Sequence, residues 1–106
     1  MKVVRTACRE QARELPGHSS ILGSVLSSEG GLRVVFSECK AGGHSDPHTH
    51  DTVQAFFVLK GKMEITCDGS IHQLEEGDFA MVFPGELHSV RSDDASYLAI
   101  MRAKVG

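Results

Sequence analysis

Gly42-Gly43-His44-Ser45-Asp46-Pro47-His48-Thr49-His50-Asp51-Thr52-Val53-Gln54 runs directly into Ala55-Phe56-Phe57-Val58-Leu59-Lys60-Gly61. A polar half rich in histidine is fused to an apolar half. Residues two apart on an extended strand share a face. If the strand runs on without a bulge, His48 and His50 present their imidazoles in one direction. Gln54 then has the same parity, as do Phe56 and Val58 behind it. The expectation is a polar trio at the mouth of an apolar-lined cavity. Neutral imidazole is the commonest protein ligand for transition metals, and the Gln54 amide oxygen is an acceptor able to complete a third position. His44 and His48 are four apart, the spacing of helical zinc sites. Gly42, Gly43 and Pro47 rule out a helix there, so the geometry is strand and loop.

On both sides of this run the chain reads as short strands separated by turn residues. Ile21 to Leu26 is apolar and partly β-branched, and Glu29-Gly30-Gly31 is a turn. Leu32 to Cys39 alternates, with Leu32, Val34 and Phe36 on one face and Arg33, Val35 and Ser37 on the other; Ala41-Gly42-Gly43 breaks it. Val53 to Leu59 is apolar on both faces and reads as a central strand. Met63 to Cys67 and Ser70 to Leu74 flank Asp68-Gly69, a two-residue hairpin signal. Phe79 to Phe83 is stopped by Pro84-Gly85, and Leu87 to Arg91 and Ala95 to Ala103 follow. His88 lies beyond Pro84-Gly85-Glu86-Leu87, where a tight turn would set its register and let its imidazole enter the same cavity. Near the N-terminus, Val3-Val4 is a possible edge-strand start. Arg5, Arg9 and Arg13 recur at helical spacing, so a short helix over Ala7 to Leu15, ended by Pro16-Gly17, is expected with a solvated basic face. About nine short strands with little helix make an all-β sandwich or barrel. One domain over 1–106 is expected, with 1–17 as an N-terminal arm or edge strand.

Composition narrows the function classes. At 106 residues, 41% apolar and 24% charged, the chain suits one core in a globular protein. Net charge is -3 and the basic residues are scattered, so no electrostatic footprint for nucleic acid or an anionic membrane is present. No apolar run approaches the roughly 18 residues of a membrane span. Met1-Lys2-Val3-Val4-Arg5-Thr6 lacks the apolar core of a signal peptide. Cys8, Cys39 and Cys67 form no C-x-x-C pair. They read as free, buried thiols, which points to a reducing compartment and a cytoplasmic location.

Gly42, His48, His50, Gln54 and Gly61, at their spacing, resemble the first motif of the cupin family, which normally has Glu where this chain has Gln54. Gly77, Gly85 and His88 resemble the second motif in register. Pro84 sits one place later than the family pattern, and Ser92 stands where Asn is usual. The two motifs cover Gly42 to about Ser92. The resemblance implies a small antiparallel double-sheet β-barrel of the jelly-roll kind, often a homodimer. It also implies one divalent transition metal ion (Mn, Fe, Ni, Cu or Zn) held by His48, His50, Gln54 and His88. Some cupins, including manganese-containing hydroxynitrile lyases, use three His and one Gln.

An amide is neutral, so the ion keeps its full charge, and Gln54 cannot act as a general base. About two positions of an octahedron stay open for water, dioxygen or a chelating oxygen substrate. The expected activity is that of a metal-dependent enzyme of dioxygenase type on a small oxygen-containing organic substrate. An oxygen-independent lyase or isomerase, and a non-catalytic barrel binding a small ligand or metal, are the alternatives. His44 is the candidate base, with a plain surface residue as its other reading. His18 and His72 read as exposed turn or strand residues. Phe56, Phe57, Phe79, Met81 and Phe83 read as core. Arg33, Arg91 and Arg102 read as solvated, with a clamp on a substrate carboxylate as the alternative role.

Overall fold

The turn chemistry of Asp68-Gly69 is realised as expected. Both residues take positive φ, 47° and 84°, and Cys67 stands directly opposite Ser70 across the hairpin. The computed structural model describes residues 1–5 and 12–102. In chain order the strands are β1 (Arg13–Glu14), β2 (His18–Ser27), β3 (Leu32–Ser45), β4 (Gln54–Lys60), β5 (Lys62–Cys67), β6 (Ser70–Glu75), β7 (Phe79–Val82), β8 (His88–Ser92) and β9 (Ser96–Arg102). Every pairing is antiparallel, and no helix occurs among the described residues.

The strands form one sheet in the order β6-β5-β8-β3-β9-β4-β7, with β2 along the other edge of β3 and β1 on β2. This sheet curls into a nearly closed barrel because β3 has two successive partners. Leu32 to Glu38 pair with β9, whereas Gly43 and His44 pair with β8. Ala41-Gly42-Gly43 therefore does not end the strand as expected. It is the irregular corner at which β3 passes from one side of the barrel to the other, and the β2 register jumps there from Ile21↔Cys39 to Ser19↔His44. The result is the expected all-β jelly-roll barrel. β4 lies between β7 and β9, in agreement with its central reading.

The N-terminal expectations fare differently. Val3 and Val4 are exposed and outside any strand, and the first strand is Arg13–Glu14 instead. Of the expected helix, Ala7 to Gln11, Cys8 and Arg9 among them, lie outside the described residues. Ala12 to Leu15 are not helical, because Arg13 and Glu14 pair with Gly23 and Leu22 of β2.

The core is built from Ile21, Cys39, Phe56, Val58, Met63, Ile65, Val82, Val90, Ala95 and Tyr97. In β3 the inward face is the more polar one: Val35, Ser37 and Cys39 are buried and Arg33 is half-buried, while Leu32 is exposed. Of the aromatic and Met set expected in the core, Phe56 is buried, but Phe79, Met81 and Phe83 are about half exposed at 55%, 48% and 54%. Phe79 and Met81 share the outer face of β7, which lies at the end of the sheet path, and Phe83 directly follows that strand. Cys39 and Cys67 are free thiols; Cys39 is buried as expected, whereas Cys67 is only partly so.

Candidate metal centre

His48, His50 and His88 come together although they are not aligned by one strand. Residues 46–53 form a loop between β3 and β4, apart from an isolated antiparallel bridge at His48. The shared-face argument for His48 and His50 is therefore corrected: backbone pairing to other segments aims them. His48 N–H donates to the His88 carbonyl and His88 N–H to the His48 carbonyl, both at 3.0 Å. Gly85 N–H donates to the His50 carbonyl at 2.9 Å, and Asp46 N–H to that of Gly17 at 2.8 Å. The Pro84-Gly85 turn thus anchors the His50 end of the loop while delivering His88.

These anchors bring the ring centroids of His48 and His50 to 4.7 Å, His48 and His88 to 4.4 Å, and His50 and His88 to 5.2 Å. One ligating nitrogen from each lies within 4.8 Å of the others. His88 is only 1% exposed, and its ring packs 6.3 Å from Phe56, which in turn packs 5.9 Å from Tyr97. Gln54, the first residue of β4, is 8% exposed and places its Oε1 3.1 Å from His88 Nε2.

The hydrogen bonds decide which nitrogens are free. His48 Nδ1–H donates to the Asp46 carbonyl at 2.7 Å, and His88 Nδ1–H donates to the Glu86 carbonyl at 3.0 Å. A carbonyl partner requires the proton on Nδ1, so in the neutral rings both Nε2 atoms carry bare lone pairs. His50 Nε2 is buried with no hydrogen-bond partner. Gln54 Oε1, also a lone-pair atom, faces His88 Nε2. A buried orphan nitrogen and two acceptors turned towards one another are costly alone, and a shared cation relieves both. The donor set therefore fits a metal ion, and three imidazoles with an amide suit a first-row transition ion. Burial, followed by the neighbouring His48 and His88, holds His50 below the ordinary imidazole range, with Gln54 and Asp51 opposing. Burial likewise lowers His88, against its hydrogen bond to the Glu86 carbonyl. Both shifts favour the neutral, ligating form.

Beside this group lies a cavity of about 190 Å³. Its walls include Val35, Phe56, Val90, Tyr97, Ala99 and Met101, so the apolar lining expected behind the histidines is present. Leu15, Pro16 and His18, from the arm before β2 and the start of β2, also line it. Leu15 packs onto Gly23, where even a Cβ would approach its Cδ1 to 2.7 Å. His44 does not border the cavity. It is exposed on β3, and its Nδ1–H donates to the Gly42 carbonyl at 2.9 Å. His18, expected to be an exposed bystander, does border it, with its ring 6.4 Å from that of His48. Its Nδ1–H donates to the Pro16 carbonyl at 2.9 Å, which leaves Nε2 as an acceptor. Arg33 also lines the cavity, whereas Arg91 and Arg102 are exposed outside it, and His72 is exposed as expected. No local sequence signal marks His18 or Arg33, because strand register brings them here. A second group, Cys67, Asp68 and Glu86, also lies within 4.8 Å. There Asp68 Oδ1 accepts Leu87 N–H at 3.0 Å and Glu86 Oε1 accepts Phe83 N–H at 2.7 Å, so these carboxylates hold turns.

No curated protein matches the sequence. Among solved structures, the polyketide cyclase RemF from Streptomyces resistomycificus is similar, with a TM-score of 0.84 and 22% identity over 98% of this chain and 80% of that one. A predicted oxalate decarboxylase from Thermotoga maritima has a TM-score of 0.83 and 20% identity over 97% of this chain and 100% of that one. KdgF from Halomonas sp. has a TM-score of 0.77 and 19% identity over 90% and 87%. At these identities the likeness speaks for the fold. The model of the cupin domain matches residues 35–101, a span that holds the histidine group, Gln54 and both motif glycine sets. By that match and by the nearly closed β-barrel around it, the chain belongs to the cupin family.

Proposed function

We propose that this cupin is a metal-dependent enzyme acting on a small oxygen-containing organic substrate. The observation that carries the reading is the buried, partnerless His50 Nε2 beside two histidines whose Nδ1 atoms are tied to carbonyls. His48, His50, Gln54 and His88 would hold one divalent transition ion. When bound, such an ion supplies Lewis-acid polarisation of a substrate oxygen and open positions for oxygen ligands. The chain's own residues orient the imidazoles through the Asp46 and Glu86 carbonyls and shield the site with Phe56, Val90 and Ala99. That apolar shield supports a dioxygenase-type activity as the first reading, since it excludes water from the reacting centre.

A second reading, an oxygen-independent lyase or isomerase, is favoured by the uncharged donor set and by His18. His18 replaces His44 as the candidate base because it borders the cavity with Nε2 free of its Pro16 hydrogen bond. Two structural neighbours carry the names polyketide cyclase and predicted oxalate decarboxylase, which supports an oxygen-bearing substrate for either reading.

The test is elemental analysis of protein purified without added metal, beside a His48→Ala/His50→Ala control. Wild type is expected to hold close to one transition ion per chain and the control almost none. Equal metal in the two, even after supplementation, overturns the proposal. Oxygen uptake with diketone, flavonol and catechol-like substrates then supports the first reading, and turnover under anaerobic conditions the second.

A further inference from the structure

Arg33 occupies an unusual place for a cation. It lies on the inward face of β3 and lines the cavity beside the histidine group. Among the described residues it has no ion-pair or hydrogen-bond partner. Its position follows from register. Arg33 pairs with Met101 of β9, and Met101 pairs on its other side with Gln54 of β4. Residues directly opposite across a sheet point to the same face. Arg33, Met101 and Gln54 therefore form one inward row. Two strand spacings separate its ends, about 9.5 Å between Cα atoms. The next row, Val35, Ala99 and Phe56, is apolar and runs parallel to it.

The charges in this cavity do not balance. Its lining contains no Asp or Glu among the described residues. The donors His48, His50, Gln54 and His88 are neutral, so a divalent ion keeps both charges, and Arg33 adds a third of the same sign. Like charges brought close together repel, and an anion between them relieves the repulsion. Guanidinium presents a planar fork matched to a carboxylate. An ion held by His48, His50, Gln54 and His88 would favour an oxygen donor.

We propose that Arg33 is the specificity-determining residue of this site, and that the substrate is a small carboxylate carrying a second oxygen donor. The carboxylate pairs with Arg33, the second oxygen faces His48, His50, Gln54 and His88, and the carbon skeleton lies over Met101 and Ala99. The assignment rests on the metal reading above and adds to it the class of substrate.

The test is calorimetric titration of metal-loaded and metal-free protein with malonate, succinate and pyruvate, each beside its neutral amide. In loaded wild type at least one carboxylate binds tenfold or more tightly than its amide. Arg33→Gln loses that preference, while its affinity for Mn²⁺ alone equals or exceeds wild type, since a repelling cation has gone. Arg33→Lys keeps a preference weakened several-fold, so the fork contribution is read even if the Gln variant folds poorly. The proposal is overturned if none of the three carboxylates is preferred over its amide, or if Arg33→Gln retains the preference. Failure of the metal reading is seen separately, as absence of Mn²⁺ uptake by wild type. In that case the same Arg33→Gln comparison on metal-free protein decides: loss of carboxylate preference supports Arg33, and no change overturns it.

Discussion

At residue 54 an amide oxygen lies 3.1 Å from His88 Nε2 in a nearly sealed position. Gln54→Glu changes the charge there with almost no change in size. A carboxylate facing a divalent ion should raise affinity for Mn²⁺ at least tenfold, and the metal-free protein should lose about 1–3 kcal/mol of stability from the buried charge. Titration calorimetry and urea melts of the metal-free variant measure the two effects. Unchanged or weaker Mn²⁺ binding would mean that the residue 54 side chain does not face the ion. At this scale the sequence was readable where spacing is local. His48, His50, Gln54 and His88 stand out by motif, and the structure gathers them. His18 and Arg33 do not stand out. Arg33 reaches the cavity only through the Met101 register of β9, and His18 only because the arm before β2 folds against the loop that carries His48. Neither relation leaves a mark on neighbouring residues.

Turns show the same division among elements. Asp68-Gly69 was legible because its positive φ values are a property of those two residues alone. The run Ala41-Gly42-Gly43 was misread as a stop, since two glycines mark irregular backbone without saying whether pairing resumes beyond it. Ser92, where the family pattern has Asn, is a third case. It is 7% exposed; its Oγ–H donates to the Lys62 carbonyl at 2.6 Å, and the same oxygen accepts Ala95 N–H at 2.9 Å and Asp94 N–H at 3.2 Å. One hydroxyl thus ties β5 to the turn between β8 and β9. Ser92→Ala leaves three backbone groups without this partner and should cost about 2 kcal/mol, seen as a lower urea midpoint with an unchanged slope. A variant as stable as wild type would show that water replaces the hydroxyl without loss.

Across the whole barrel, the interior sets a limit on alkaline stability. Burial raises the Cys39 thiol from 9.0 to about 11, with the neighbouring Ser92 side chain opposing and Asp94 and Asp93 adding to the rise. Burial also raises the Tyr97 phenol, with Cys39 adding to it and Ser37 opposing. Both groups are neutral when folded and lose their protons more readily when unfolded. Their contribution is complete below pH 9 and is lost as pH climbs through the folded values. Cys39 alone is worth about 2–3 kcal/mol between pH 9 and 11. Thermal melts over that range should fall steeply, and a flat profile would contradict the burial of Cys39. The same burial keeps Cys39 as the thiol at pH 8, so it should resist iodoacetamide until the protein unfolds. A different consequence follows from the contact of Leu15 with Gly23. The part of the cavity lining that Leu15 supplies rests on the bare backbone of Gly23 in β2. Gly23 is buried, and a methyl there would press on Leu15 Cδ1 at 2.7 Å and Val35 Cγ1 at 3.1 Å, two side chains that line the cavity, so the room left for a guest molecule can be retuned at a position that bears none of the four donor side chains.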